Sequence, residues 1–100
     1  TLIVEAEDVY ISSATIWEAA IKAQLGKLEV NIDFLVESIE SEGFTELPIA
    51  IKHTAQVSKL PNHHRDPFDR ILIAQALSEP LRFLTVDKTL KKYSDLVELV

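Results

Sequence analysis

A loop, a helix and a strand follow one another in the stretch PNHHRDPFDRILIAQALSEPLRFLTVDK, residues 61–88. Asp66-Pro67 predicts a helix start, because aspartate caps the first turn and proline tolerates the first helical position. The apolar residues that follow predict a helix that continues to about Glu79, where a proline breaks it. Residues 82–86 then predict a strand. A helix that leads into a strand in this way is typical of α/β proteins.

The rest of the chain continues this alternation of strands and helices. Residues 9–11, 44–47 and 96–100 predict strands, and residues 14–25, 51–60, 87–93 and a segment from Asn31 or Asp33 to Glu42 predict helices. Gly26 and Gly43 end two of these helices. Residues 1–7 predict the last turns of a further helix. We therefore expect one α/β domain over residues 1–100, with three layers (α/β/α) and a short, mostly parallel sheet.

Composition limits the classes of protein to which the chain can belong. An apolar fraction of 47% is ample for a core, and the absence of Cys excludes disulfide and thiolate chemistry. No apolar run approaches the ~20 residues of a membrane span, and no basic flank of a signal peptide opens the chain. We therefore expect a cytoplasmic protein. The net charge of −6 disfavours broad electrostatic binding of nucleic acid, although a local metal site would not need a basic surface.

Three acidic residues occupy equivalent places in the predicted fold. Glu18, Asp69 and Asp87 each lie near the start of a helix, and such starts gather at the carboxyl edge of a parallel sheet. Carboxylates that converge repel one another unless a cation offsets them, and their hard oxygens suit Mg²⁺ or Mn²⁺. Ions of this kind promote the hydrolysis of phosphodiesters. The placement predicts a metal site that uses these three acids.

Structural roles explain the same residues when each is taken alone. Thr15 and Glu18 fit a capping box. A role as helix cap accounts for Asp66, and Asp69 and Asp87 also suit the first turn of a helix. His63 and His64 are adjacent, which is a poor spacing for zinc, so we expect a polar rim that can contact phosphate. Trp17 falls on the apolar stripe of its helix, which favours a place in the core over a base-stacking platform.

Two blocks of sequence resemble the VapC type of PIN-domain ribonuclease. The first is ISSATIWE with AIK and LGKL (residues 11–28), and the second is LPNHHRDPFDRILIAQA (residues 60–76), followed by Thr85-Val86-Asp87. The resemblance implies a Mg²⁺- or Mn²⁺-dependent endoribonuclease toxin. Its implied metal and catalytic acids are Glu18, Asp69 and Asp87, and its supporting residues are Thr85, Arg65 and Arg70. An RNA substrate, a cognate antitoxin and a homodimer are the implied partners.

The chain departs from this family pattern at its start. PIN domains open with a central strand that ends in an Asp, whereas Asp8 precedes a strand and so lies at the wrong end. We therefore expect the domain, as given, to lack its N-terminal strand and first helix and to be inactive alone. An inactive PIN-like interaction module is the alternative function, and a structure-specific DNA nuclease also stays open.

Overall fold

Strands and helices alternate along the chain in the computed structural model, which describes residues 2–5, 8–85 and 87–100. The strands are β1 (Leu2–Glu5), β2 (Asp8–Ser12), β3 (Thr45–Leu47), β4 (Arg82–Thr85) and β5 (Val97–Leu99). The helices are α1 (Ser13–Gln24), α2 (Ile32–Ser41), α3 (Ile51–Val57), α4 (Pro67–Ser78) and a 3₁₀ helix (Lys88–Tyr93). Most predicted elements are therefore present within a few residues of their expected bounds.

The five strands form one mixed sheet in the order β3-β2-β1-β4-β5. The outer pairs, β2 with β3 and β4 with β5, are parallel. The central strand β1 runs antiparallel to both of its neighbours. Four strands therefore point in one direction, which confirms the predicted α/β fold with a mostly parallel sheet.

The central strand corrects the prediction for the start of the chain. Residues 1–7 were expected to be helical, but Leu2–Glu5 form β1, while residues 1, 6 and 7 lie outside the described residues. Ile3 pairs with Tyr10 on one side and with Phe83 on the other. The β-branched pair Ile3-Val4 is buried on both faces of the sheet, and such residues favour strands. The helix prediction is wrong because the β4 partner that makes this a central strand lies far away in sequence.

The core lies on one face of the sheet. Ile3 and Phe83 are 1% and 0% exposed, and they pack with the buried side of α4. The α4 residues in this core are Leu72, Ile73, Ala74 and Ala76. Helices α1 and α2 border a groove beside Ile11 of β2. Among the described residues no helix is long and apolar enough to cross a membrane.

A buried polar bridge joins α4 to the ends of two strands. The hydroxyl of Ser12 donates to Oε1 of Gln75 at 2.5 Å, and both side chains are at most 1% exposed. Nε2 of Gln75 donates in turn to the carbonyls of Leu47 (3.3 Å) and Pro48 (3.2 Å). Since buried polar groups need partners, this bridge fixes α4 against β2 and β3.

Helix ends follow the expected chemistry, with one exception. Asp66 accepts a hydrogen bond from the backbone N–H of Phe68 at 2.9 Å, which confirms the helix start at Asp66-Pro67. Gly26 and Gly43 have φ values of 74° and 79°, where a side chain would be strained. Helix α1, however, is capped by Ser12, whose hydroxyl accepts from the N–H of Ala14. The capping box at Thr15 and Glu18, the structural alternative to a metal-site role for Glu18, is therefore not formed.

Candidate metal centre

Two predicted acids and one histidine meet at the carboxyl edge of the sheet. Asp69 lies in the first turn of α4, Asp87 follows β4, and His64 lies in the loop before α4. One ligand atom from each lies within 4.8 Å of the others. Nε2 of His64 is 3.6 Å from Oδ2 of Asp69 and 3.3 Å from Oδ2 of Asp87. This spacing would allow the two carboxylates to hold a single cation, with the His64 ring beside them.

Glu18, the third predicted acid, lies in α1 and is not a member of this group. It lies in the second turn of the helix, where its carboxylate is 3.5 Å from the ammonium group of Lys22. Its charge is close enough to Asp69 to contribute to that residue's altered pKa. The structure therefore brings Asp69 and Asp87 together with His64, whereas the carboxylate of Glu18 is not among the ligand atoms that lie within 4.8 Å of one another.

The environment of Asp69 disfavours its negative charge. Burial raises the pKa of this carboxyl above its ordinary value of 3.8, and the nearby charges of Asp66, Glu18 and Asp87 raise it further. His64 acts in the opposite direction. A carboxylate that is crowded by other acids is a place where a divalent cation would relieve repulsion.

Asp87 caps the 3₁₀ helix and also belongs to the candidate metal centre, so it combines the two roles that the sequence suggests. Its Oδ1 accepts from the hydroxyl of Thr89 at 2.7 Å and from the Thr89 N–H at 2.9 Å, and these bonds lower the pKa of the carboxyl. Its Oδ2 faces His64. The buried hydroxyl of Thr85 accepts from the N–H of Asp87 at 3.1 Å. Thr85 thus holds the backbone of Asp87, in agreement with a supporting position.

His64 is the member of this group that sequence reasoning assigned to a rim. Its backbone N–H donates to the hydroxyl oxygen of Tyr93 at 2.9 Å, and its Nδ1 accepts from the N–H of Asp66 at 3.0 Å. These bonds turn the ring toward the acids. The sequence feature that could have indicated this placement is the position of His64 two residues before the helix cap Asp66. Its companion His63 instead packs against the ring of Tyr93, with centroids 5.1 Å apart.

The two predicted arginines occupy different surroundings. The guanidinium of Arg70 donates to the carbonyls of Val57 (3.2 Å) and Pro61 (3.1 Å) and to the hydroxyl of Tyr93 (3.2 Å). Arg70 therefore fastens the loop that carries His64. Arg65 is exposed and lines a surface pocket together with Asn62, His64 and Arg70.

The carboxylate oxygens that lie together here suit a hard divalent cation. Among the described residues, the central strand β1 brings no acid to this edge of the sheet. Since β1 is antiparallel to its neighbours, its Leu2 end lies at the acidic edge, and Glu5 lies at the opposite edge beside Asp8. The Asp that ends the first strand of the resembling family therefore has no counterpart in β1.

A family model described as PIN domain matches residues 1–96. No curated protein matches the chain. No solved structure matches it either. PIN domains are generally divalent-metal-dependent nucleases, which agrees with the acidic group described above. Since the match covers nearly the whole sequence, the chain belongs to the PIN domain family.

Proposed function

We propose that this PIN domain is a Mg²⁺- or Mn²⁺-dependent endoribonuclease of the VapC type, the toxin of a toxin–antitoxin pair. The observation that carries the proposal is the meeting of Asp69 and Asp87 beside His64 at one edge of the sheet, where burial and acidic neighbours also raise the pKa of Asp69. Such a group is poorly suited to remain without a cation, and its hard oxygens favour Mg²⁺ or Mn²⁺. The motifs around these acids resemble the toxin family.

The side chains divide the work at this site. Glu18, Asp69 and Asp87 would hold the cation, which when bound lowers the pKa of a water molecule and polarises the phosphodiester. Thr85 fixes the backbone of Asp87 by the hydrogen bond described above. The exposed guanidinium of Arg65 is available to a phosphate of the RNA at the border of the acids.

An antitoxin and a second copy of the chain are the proposed protein partners, and the cytoplasm is the proposed compartment. A groove of about 460 Å³ between α1, α2 and β2 has apolar walls that include Ile16, Val36 and Ile39, with Glu40 and Glu46 on its lining. These features suit an amphipathic helix that carries basic residues. A Lys or Arg of the same antitoxin would offset the acids of the site.

Cleavage assays on the protein as its gene encodes it test the proposed activity. We expect Mg²⁺-dependent cleavage of single-stranded RNA within the chain, with no cleavage of DNA of the same sequence. Asp69→Asn should abolish cleavage without loss of the fold, because the replacement is nearly isosteric. Glu37→Gln, at an exposed acid on α2, is the matched control and should leave the rate unchanged. Intact RNA after incubation with both Mg²⁺ and Mn²⁺ would contradict the proposal.

An inactive interaction module is the second candidate, and one observation favours it. The central strand brings no carboxylate to the acidic edge. Calorimetric titration with Mg²⁺, together with the cleavage assay, separates the two functions. Binding with cleavage supports the nuclease, whereas the absence of both supports the module.

A further inference from the structure

An aromatic residue precedes an acid at two places that meet in the structure. Trp17-Glu18 lies in α1 and Phe68-Asp69 lies in α4. The rings of Trp17 and Phe68 have centroids 4.9 Å apart and planes inclined at 75°. The aromatic contact therefore joins the residue before Glu18 to the residue before Asp69, and Asp69 belongs to the candidate metal centre.

Much of the indole ring of Trp17 is open to solvent. The residue is 59% exposed, which corrects the expectation that it belongs to the core, while Phe68 is partly buried against the core. A T-shaped contact uses one edge or one face of each ring, so at least one face of the Trp17 indole is not covered by Phe68. The contact also fixes the direction in which that ring lies.

We infer that Trp17 is a stacking site for a nucleobase of the RNA, next to the phosphodiester that is cleaved; the inference rests on the proposed function. Bases stack on aromatic side chains without regard to sequence, because every base offers a π face. The contact with Phe68, the residue before Asp69, places such a base adjacent to the candidate metal centre. The ligand is thus a nucleobase of a single-stranded segment.

Charge gives an independent reason for a contact of this kind. The chain has 16 acidic and 10 basic residues, so its surface offers the RNA backbone little electrostatic attraction. Stacking contributes affinity that needs no positive charge. A protein contact along α1 is the competing explanation, because Ile21 and Leu25 extend the apolar stripe away from the acids. Trp17 differs from these two residues in its position beside Glu18 and in its contact with Phe68.

Steady-state kinetics on the gene-encoded protein provide the first test. Trp17→Ala should raise KM for single-stranded RNA roughly 5- to 150-fold, the range that follows from the loss of one stacked base, with kcat nearly unchanged. Trp17→Phe should retain most of the wild-type KM. Leu25→Ala is the matched control, since Leu25 is 63% exposed and follows the same helix. Cleavage that requires Asp69 but has the same KM in Trp17→Ala would overturn the inference and leave the proposed function standing.

Fluorescence provides a test that does not need cleavage. Trp17 is the only tryptophan among these 100 residues, and subtraction of the Trp17→Phe spectrum isolates its signal in a longer chain. In the Asp69→Asn background we expect an RNA oligonucleotide to quench this emission, and an oligonucleotide abasic at the stacked position to quench it much less. Equal quenching by both would overturn the inference. A blue shift that grows with protein concentration in the absence of RNA would also overturn it, in favour of a protein contact.

Discussion

Nε2 of His64 lies 3.3 Å from Oδ2 of Asp87, and Nδ1 of the same ring accepts a hydrogen bond from the N–H of Asp66. A neutral imidazole carries one proton, so acceptance at Nδ1 assigns that proton to Nε2. The Nε2–H group therefore points at the carboxylates of Asp87 and Asp69. A protonated nitrogen cannot coordinate a cation, which makes His64 a hydrogen-bond donor that competes with the metal for the same oxygens.

The replacement His64→Ala should therefore tighten Mg²⁺ binding. The acids lose a donor that satisfies them in the metal-free state, and a partly exposed interaction of this kind is worth roughly 1 kcal/mol, or about fivefold in affinity. Calorimetric titration of the gene-encoded wild type and variant measures the change. Weaker binding by the variant would show that His64 is a ligand, contrary to this expectation.

Thr85→Val should weaken metal binding although Thr85 does not reach the cation. The replacement keeps the shape of the side chain but removes the oxygen that accepts from the Asp87 N–H. Residues that orient a ligand in this way typically contribute about 10- to 100-fold to metal affinity. Thr45→Val, at an exposed position of β3, is the control. Unchanged affinity in Thr85→Val would contradict the supporting role of its hydroxyl.

Asp69→Asn should stabilise the metal-free protein at neutral pH. The pKa of Asp69 is raised in the folded state, so its ionised form opposes folding at pH values above the folded pKa. Removal of the charge should increase the free energy of unfolding by on the order of 1 kcal/mol, a shift of a few degrees in Tm. The advantage should shrink as the pH falls through the folded pKa and be absent below 3.8, the ordinary value for Asp. Thermal unfolding in EDTA at several pH values measures it, and a lower Tm at pH 7 would count against the repulsion.

Glu79→Gln should destabilise the protein at neutral pH but not in acid. The carboxylate of Glu79 lies 2.7 Å from Nε2 of the buried His53 and 2.9 Å from Lys52, and these contacts lower its pKa below 4.5. The stabilisation is complete above 4.5 and is lost as the pH falls through the folded pKa. We expect a loss of about 1 kcal/mol at pH 7 in urea unfolding. Glu98→Gln, which removes an exposed pair with Arg82, should change stability much less. An equal loss by Glu79→Gln at pH 3 would contradict the assignment.

Gln75→Leu should lower the free energy of unfolding, because it removes the buried polar bridge between α4 and the two strands. It leaves the buried hydroxyl of Ser12 and the carbonyls of Leu47 and Pro48 without the partners described above, and such groups cost about 1–3 kcal/mol. Ser12→Ala should cost less stability in the Gln75→Leu background than in the wild type, because there the hydroxyl has only its cap bond from the N–H of Ala14 left to lose. A double-mutant cycle in urea measures this coupling, and strictly additive losses would exclude it.

Local sequence signals predicted the elements but not which faces are covered. Asp66-Pro67 and Gly43 mark helix ends through local chemistry, so those bounds are confirmed. Phe34 is an apolar residue of α2 that is nevertheless 68% exposed, because periodicity identifies an apolar stripe without showing what packs on it. The same reason applies to Trp17. The orientation of His64 depends on Tyr93, which is 29 residues away and therefore outside any local pattern.

The order of the strands in the sheet has a consequence for the order of folding. The parallel pairs β2–β3 and β4–β5 form two halves that hydrogen-bond to each other only through β1. The pairing of Ile3 with Phe83 closes a loop of nearly the whole chain, which is entropically the most demanding contact of the ladder. We expect each half to assemble first and the four residues of β1 to join them last. Pulsed hydrogen exchange during refolding should then show late protection of the amides of β1.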